Sequence, residues 1–467
     1  MAKYKVPNSP KTFKRWQKLQ WLTRQEEYLQ ECYKKYGDVF ALRVGPDFIP
    51  YVFISNPQII QEIFAANSQQ LDSGKEATNN PFFLGERSLV SLAGQRHKQQ
   101  RKLLAPCLHG ERIQIYSQLI CSLAEQMASN WTIDQPIFIY KALQAIMLEL
   151  GFQVLLGSKD GQRYERLKEL LISMMNPENP LSRSLAYYIP FLQKNIGPWK
   201  VWEKFTDEQR QINEILYAEI HDHRQNPDPS GTDILSLMMA SRYETGEAMT
   251  DEELRDELIT LMAQSPEVTG TSLARAFYWI LHNSQVHQKL LQELDSLGDA
   301  PNPKEIMRLP YLDAIFKEVM RIYPTALFTF PRLVKTTLQI QDYQFEPGTV
   351  LLPCIHLIHH REDVYPQAKQ FKPERFLERD FSPYEYFPFG GGHRRCIGSA
   401  FAQLEMKLVL ATVLSHWHLE LDRSMPKPSY KGALLPPVGS IQIVLKGRRS
   451  RNQLESTTPH HNLSVIH

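Results

Sequence analysis

The stretch LRDELITLMAQSPEVTGTSLARAFYWILHNS, beginning at residue 254, constrains the fold more than any other part of the chain. Its periodicity predicts one helix of about thirty residues, against a usual length of about 11–12. Thr250 and Glu253 lie just ahead of it at capping-box spacing, which predicts where the helix starts. At about 1.5 Å per residue such a helix crosses an entire molecule. Pro266 falls in its middle. Proline there denies the carbonyl of Met262 its hydrogen bond and predicts a kink. A kink in the longest helix is either an accident of packing or the wall of a site.

The remaining sequence supplies enough apolar surface to surround a helix of that length. Apolar residues make up 42% of the 467 positions, which excludes a disordered chain. A net charge of only +2 does not imply a nucleic-acid partner. The early segment VFALRVG followed by IPYVFISNP predicts strands. From about residue 92 to 420 the pattern is mostly helical, broken by MMNPENPLS and RQNPDPSGTD. No internal repeat is present. Five cysteines (Cys32, Cys107, Cys121, Cys354 and Cys396) are spread widely, as in a reduced cytoplasmic protein. The N-terminal segment holds no long apolar run, so neither a signal peptide nor a membrane anchor is expected.

One of those cysteines stands in an unusual loop, FGGGHRRCIG, residues 389–398. After Cys396 come Ile397, Phe401, Leu404, Leu408 and Ala411, spaced as one apolar helix face. Cys396 is therefore placed at a helix N-terminus, where free N–H groups favour a thiolate. The glycines allow tight turns and a close approach to something flat and bulky. Arg394 and Arg395 offer partners for carboxylates. A lone cysteine after a loop is more often structural. A phosphate loop of the form GxxxxGK[ST] is absent, and so is a redox CxxC. One thiolate among glycines, a phenylalanine and arginines suits an axial ligand of heme iron.

Here the sequence resembles the cytochrome P-450 superfamily. Its signature Phe-x-x-Gly-x-Arg-x-Cys-x-Gly is met in full by Phe389, Gly392, Arg394, Cys396 and Gly398. The resemblance spans roughly residues 5 to 445. It implies a mainly α fold, a helical single domain over residues 1–447 with a small β-rich lobe. Residues 448–467 are then a loose tail. It also implies heme b, iron protoporphyrin IX, with Cys396 as its metal ligand. FKEVMRIYP and PERF supply Glu318, Arg321 and Arg375, which in the family lock the core behind the heme. His97 and Arg101, four apart on one helix face, match the family's propionate-holding pair, and Arg332 and Arg394 match further propionate positions. Cys354, His356, His359 and His360 fit no closed zinc pattern; the family has a histidine-rich turn at this place.

The long helix departs from the family. The usual Ala/Gly-Gly-x-Asp/Glu-Thr falls on Gln264, Ser265, Pro266, Glu267 and Val268. Thr269 follows, but it points about 100° away. Valine has the shape of threonine without its hydroxyl. In the family that hydroxyl and its acid help deliver protons during oxygen activation. With the relay altered, Glu267, Ser265 and Gln264 are the expected substitutes, and ordered water is the alternative. Alignment places Phe82, Phe83 and Leu84 in the substrate pocket, with Leu261 and Met262. Ala326, Leu327, Phe328 and Thr329 join them, as do Leu434 and Leu435. Few charges appear, so an apolar guest is expected, with Lys75 or Arg87 available to a carboxylate.

Together these readings predict a cytoplasmic, monomeric heme-thiolate monooxygenase of specialised metabolism, acting on a hydrophobic, aromatic small molecule. Val268 tilts the expectation to oxidative aromatic coupling. Hydroxylation of a fatty acid or terpene, peroxygenase activity, heme isomerase activity and non-catalytic gas sensing are the alternatives. The chain lacks flavin and iron–sulfur motifs, so a separate ferredoxin or flavodoxin with its reductase is expected. Arg96, Lys98, Lys102, Arg395 and Lys407 are the candidate docking cations. Neither nucleic acid nor a membrane anchor is called for.

Overall fold

Thr250 and Glu253 close a capping box: the Thr250 hydroxyl accepts from the Glu253 N–H at 3.2 Å, and the Glu253 carboxylate from the Thr250 N–H at 2.9 Å. In this computed structural model, which describes residues 4–74, 84–110, 114–157, 161–175, 201–227, 231–298, 301–422 and 441–449, that box opens the longest helix. Chain order gives α1 (Lys14–Thr23), α2 (Gln25–Tyr36), α3 (Pro57–Ala65), α4 (Gly94–Leu104), α5 (Ser117–Ser129) and α6 (Ile139–Leu156). Then come α7 (Gln162–Met175), α8 (Val201–Gln225), the long α9 (Asp251–His282), α10 (Ser284–Asp295), α11 (Pro310–Ile322) and α12 (Ser399–His416).

α9 runs unbroken through Pro266 over 32 residues. Both of its ends pack apolar side chains into the core: Leu254, Leu258, Ile259, Leu273, Ala276, Phe277 and Ile280 are fully buried. α6 lies along it, with the Gln144 backbone beside Gly270; a Cβ there would sit 3.6 Å from the Gln144 nitrogen, in ordinary contact. α6 is also the one described helix long and apolar enough to cross a membrane. Here its apolar surface is spent on α9 and the core.

The sequence-predicted strands are β1 (Val39–Leu42) and β2 (Tyr51–Ile54), an antiparallel pair. They belong to a five-stranded sheet of order β1-β2-β8-β5-β3. Its other members are β3 (Leu71–Asp72), β5 (Arg332–Val334) and β8 (Val350–Pro353). β6 (Leu338–Ile340) and β7 (Tyr343–Phe345) form a hairpin, and β4 (Pro136–Phe138), β10 (Gln442–Arg448) and β9 (Trp417–Leu421) a third sheet. The four strands of residues 332–353 correct the reading of that region as helical. Each has three or four residues, too few to show a period, and β8 is buried at all four positions. Arg448 pairs with Trp417 inside β10, so the sheet includes the first residue of the expected tail.

Candidate active site

The loop carrying Cys396 is closed by its own backbone, the Cys396 N–H donating to the Phe389 carbonyl at 2.9 Å. Gly390 and Gly392 hold positive φ, +70° and +63°. The flat body the glycines approach is the ring of Phe64 on α3: a Cβ at Gly391 would lie 2.1 Å from it. Phe389 stacks on Phe316 of α11 at 6.3 Å between ring centroids, which ties the loop to the core. α12 begins at Ser399 with Gly398 as its N-cap, so Cys396 lies just ahead of the helix.

The expected thiolate is not what this environment alone produces. Burial pushes the Cys396 thiol above its ordinary pKa, against the Gly398 N–H and the charges of Arg101 and Arg395. The residue is nevertheless open at its surface. Its exposure marks a place where the packing is loose. The middle of α9 agrees: Ala263, Gln264, Glu267 and Val268 are only half-buried, although the turns on both sides are fully packed. At the first turn of α12, Ala400, Phe401 and Gln403 are likewise half-buried.

A cluster of cationic and imidazole groups surrounds this region. Arg332 in β5 is buried, donating to the carbonyls of Phe330 at 2.5 Å and Gly391 at 3.2 Å, and its Nε has no partner. Arg394 donates to the carbonyls of Leu89, at 3.0 Å, and Leu92, and its Nε is also unmatched. Burial, then the Arg394 charge, pulls Arg332 down to about 9. Burial lowers Arg394 to about 10 despite Asp72. His97 on α4 is brought to about 3 by burial and the Arg394 charge, and His393, 6.1 Å away ring to ring, to about 4 by burial and the Arg332 charge. Arg101 is lowered by burial, while the nearby Cys396 raises it. Asp72 is already paired with Lys335 at 2.8 Å. Such a cluster calls for an anion with more than one charge. An iron porphyrin, with two carboxylates and a metal that replaces the thiol proton, fits these residues.

His97, Arg101, Arg332, Arg394 and Cys396 are thus brought together. His393 was missed in the sequence, although it lies inside the motif. Asp256 and Glu257 were missed too. Asp256 accepts from the Arg87 N–H at 2.8 Å and Glu257 from the Leu89 N–H and Gln100 at 2.6 Å, fastening the segment before α4 to α9. Their signal was masked in the sequence, because Asp251, Glu252, Glu253 and Arg255 surround them in the charged first turns of α9.

Glu318 accepts from Arg321 at 2.7 and 2.9 Å, from Arg375 at 3.2 Å and from the Lys372 N–H at 2.9 Å. Arg321 continues to the His359 carbonyl at 2.6 Å. All three charged residues are buried. No group of His, Cys, Asp or Glu suited to a metal occurs among the described residues, and Cys354 instead contacts the Leu327 carbonyl at 3.3 Å.

On α9, Glu267 faces α6, where its charge and burial together push Tyr140 up to about 12, burial being the larger cause. The Ser272 hydroxyl donates to the Val268 carbonyl at 3.0 Å. Thr269 is buried. Two expected pocket residues also take part in core packing. Leu327 is fully buried in a core cluster with Phe40 and Leu352, and Phe328 stacks on Trp21 of α1 at 5.9 Å. Leu84, Met262 and Thr329 are buried, while Leu261 and Ala326 are half-buried. Phe82, Phe83, Leu434, Leu435, Lys75 and the side chain of Ser265 lie outside the described residues. A separate cleft of about 310 Å³ beside Arg163, Tyr164 and Glu219 shares no residue with this site.

Comparison with known proteins agrees with the geometry. A model of the cytochrome P450 family matches residues 7–444. Cytochrome P450 135B1 of Mycobacterium tuberculosis is 29% identical over 433 residues, 92% of this chain and 89% of that protein. Cytochrome P450 135A1 of the same organism is 30% identical over 409 residues, 87% of each chain. The solved structure of retinoic acid-bound cyanobacterial CYP120A1 superposes with a TM-score of 0.79 at 20% identity, covering 95% of this chain and 99% of that one.

Proposed function

Since the chain belongs to the cytochrome P450 family, with heme as its cofactor, we propose that it oxidises an apolar aromatic small molecule, joining two rings without inserting oxygen. Bound heme supplies one-electron and dioxygen chemistry, and a thiolate ligand favours O–O cleavage. Cys396 is assigned as that ligand. His97, Arg101, Arg332 and Arg394 are assigned to the two propionates, and Phe389 and Gly398 shape the loop beneath. The carrying observation is Val268, half-buried in the loosely packed middle of α9 with no hydroxyl to hold a proton. Glu267 beside it is the acid left to supply protons, and its charge is felt at Tyr140 of α6. Coupling draws the same two electrons and two protons per dioxygen as oxygen insertion does, and differs from it in transferring no oxygen to the product. Two ring C–H hydrogens leave, the rings join, and dioxygen with two electrons and two protons becomes two waters.

Electrons come from a separate donor. Lys98 and Arg395 are exposed and suited to an acidic ferredoxin or flavodoxin. Lys407 is not: it is buried against Asp313 at 2.5 Å. Arg96 and Lys102 already meet Glu253 and Glu244. A second reading, oxygen insertion into an isoprenoid, is favoured by the retinoic acid bound to CYP120A1.

Spin-state titration against aromatic, terpene and fatty-acid panels selects the substrate, and mass spectrometry of turnover products decides the reaction. A product of two substrates less two hydrogens supports coupling; a gain of one oxygen refutes it in favour of the second reading. Turnover without a reductant would refute both. Val268→Thr is expected to raise the fraction of electrons recovered in product, and an unchanged yield makes the missing hydroxyl irrelevant.

A further inference from the structure

α1 is inverted relative to an ordinary surface helix. The side chain it buries is Gln17, whose amide donates to the Pro10 and Thr12 carbonyls at 3.2 and 3.0 Å and accepts from the Arg43 N–H at 2.9 Å. Trp16, Leu19 and Leu22, three residues apart each time, are instead 52%, 47% and 47% exposed. Phe13, the N-cap, is 89% exposed, and Val6 ahead of it 78%. Most exposed large apolar side chains of the described residues belong to the first 49 positions. Leaving such a stripe in water is unfavourable unless something covers it.

The charges beside the stripe identify what covers it. The first 25 residues contain seven Lys or Arg and no Asp or Glu, although the whole chain carries only +2. Lys11, Lys14 and Arg15 are exposed and meet no carboxylate among the described residues. Lys14 lies 4.5 Å over the Phe48 ring, and Lys18 donates to the Gly45 carbonyl at 3.2 Å. This holds cations beside the apolar side chains rather than across the helix from them. A second copy of the same face would bring these cations together across a two-fold axis and be repelled. A surface that is anionic outside and apolar beneath satisfies both features.

We propose that α1 and the segment before it dock the protein reversibly on an anionic lipid surface, with Phe13, Trp16, Leu19 and Leu22 entering the headgroup layer and Lys11, Lys14 and Arg15 meeting lipid phosphates. The inner side of the helix carries Trp21, its ring tilted against that of Phe53 of β2 at 5.2 Å, which ties α1 to the β-rich lobe.

Vesicle sedimentation of the heme-loaded full chain tests this without reference to catalysis. Vesicles of phosphatidylcholine with about 30 mol% phosphatidylglycerol are expected to bind at least about tenfold more tightly than phosphatidylcholine alone, and added salt to release the protein. The triple substitution Trp16→Ser, Leu19→Ser, Leu22→Ser is expected to cut binding at least about tenfold with the heme spectrum unchanged. Lys11→Gln with Lys14→Gln and Arg15→Gln is expected to abolish the preference for the anionic vesicles. Equal binding by wild type and the triple serine variant, or equal binding to both vesicles, overturns the proposal. So does a fall in solution mass on the serine substitutions, which would assign the stripe to a second copy.

Discussion

Arg332→Met separates the demands of the fold from those of the cofactor. Arg332 is buried beside Arg394, and its pKa falls from 12.5 to about 9, burial being the first cause. At about 1.36 kcal/mol per unit, its charged form costs about 5 kcal/mol when no anion is present. Its bonds to the Phe330, Pro331 and Gly391 carbonyls, at 2.5, 3.4 and 3.2 Å, recover part of that. A carboxylate meeting the unmatched Nε adds a charge-assisted bond of about 1.5–3 kcal/mol, or about 10- to 150-fold in heme dissociation. Methionine keeps the volume and removes the charge. Heme-free protein then loses both the penalty and the three carbonyl bonds, and these oppose each other. Its unfolding midpoint is therefore expected to move little. The loaded protein is expected to transfer heme to excess apomyoglobin about 10- to 100-fold faster, followed by absorbance. Unchanged heme transfer with a large loss of heme-free stability would refute the argument. Arg332 would then be only a cross-link between β5 and the Gly391 turn.

Glu318→Gln leaves Arg321 and Arg375 buried without their counter-charge, at a cost of about 3–5 kcal/mol of stability read from a denaturant midpoint; a midpoint within about 1 kcal/mol of wild type would show that the remaining carbonyl bonds suffice. Acid should destabilise the protein already above the ordinary carboxylate range. Burial lowers His287 and His360 to about 4, and His356 and His359 well below 6.5. Between about pH 6.5 and 4 the unfolded chain binds the extra protons, so stability falls as pH falls, by up to about 1.36 kcal/mol per unit for each histidine. Glu26 and Glu257, pushed up to about 7 by burial, act in the opposite direction but are outnumbered by these four histidines together with His97 and His393 of the site. A denaturant midpoint that stays flat between pH 7 and 5 would refute this balance.

What was legible in the sequence was local or stereotyped. The capping box of α9, the apolar face after Cys396 and the Glu318–Arg321 pair each depend on residues three or four apart, a spacing that helical geometry turns directly into contact. What was not legible depends on partners far along the chain. Phe64, which requires Gly391 to lack a side chain, lies more than three hundred residues earlier. Leu327 and Phe328 were read as pocket because they follow the α11 helix. The aromatic cluster of Trp21, Phe40 and Phe53 from the N-terminal elements also draws them into core packing. Strands β5 to β8 escaped because three residues carry no period; only their neighbours in the sheet define them. The inversion of α1 was invisible for the same reason: Gln17 is the inward position only because the Arg43 N–H and two carbonyls await it.

The site itself works against the fold around it, and this explains its specificity. Three groups there are burdened by burial: Arg332 and Arg394 as cations with unmatched Nε atoms, and Cys396 as a thiol driven above its ordinary pKa. Each would be relieved by a different ligand: a carboxylate for either arginine, a metal for the sulfur. Separate small ions would pay the cost of immobilisation three times over. A single flat molecule with a metal at its centre and two carboxylates on one edge meets all three demands at once, and the half-buried turn of α9 leaves it a place to lie. Removing any one burden by substitution should thus weaken discrimination between iron protoporphyrin and metal-free protoporphyrin unequally. Cys396→Ser should erase the difference, because only the sulfur recognises the metal. Arg332→Met should weaken both ligands alike, because the carboxylates are common to them. A Cys396→Ser variant that still prefers the iron form by more than about tenfold would show that another group senses the metal.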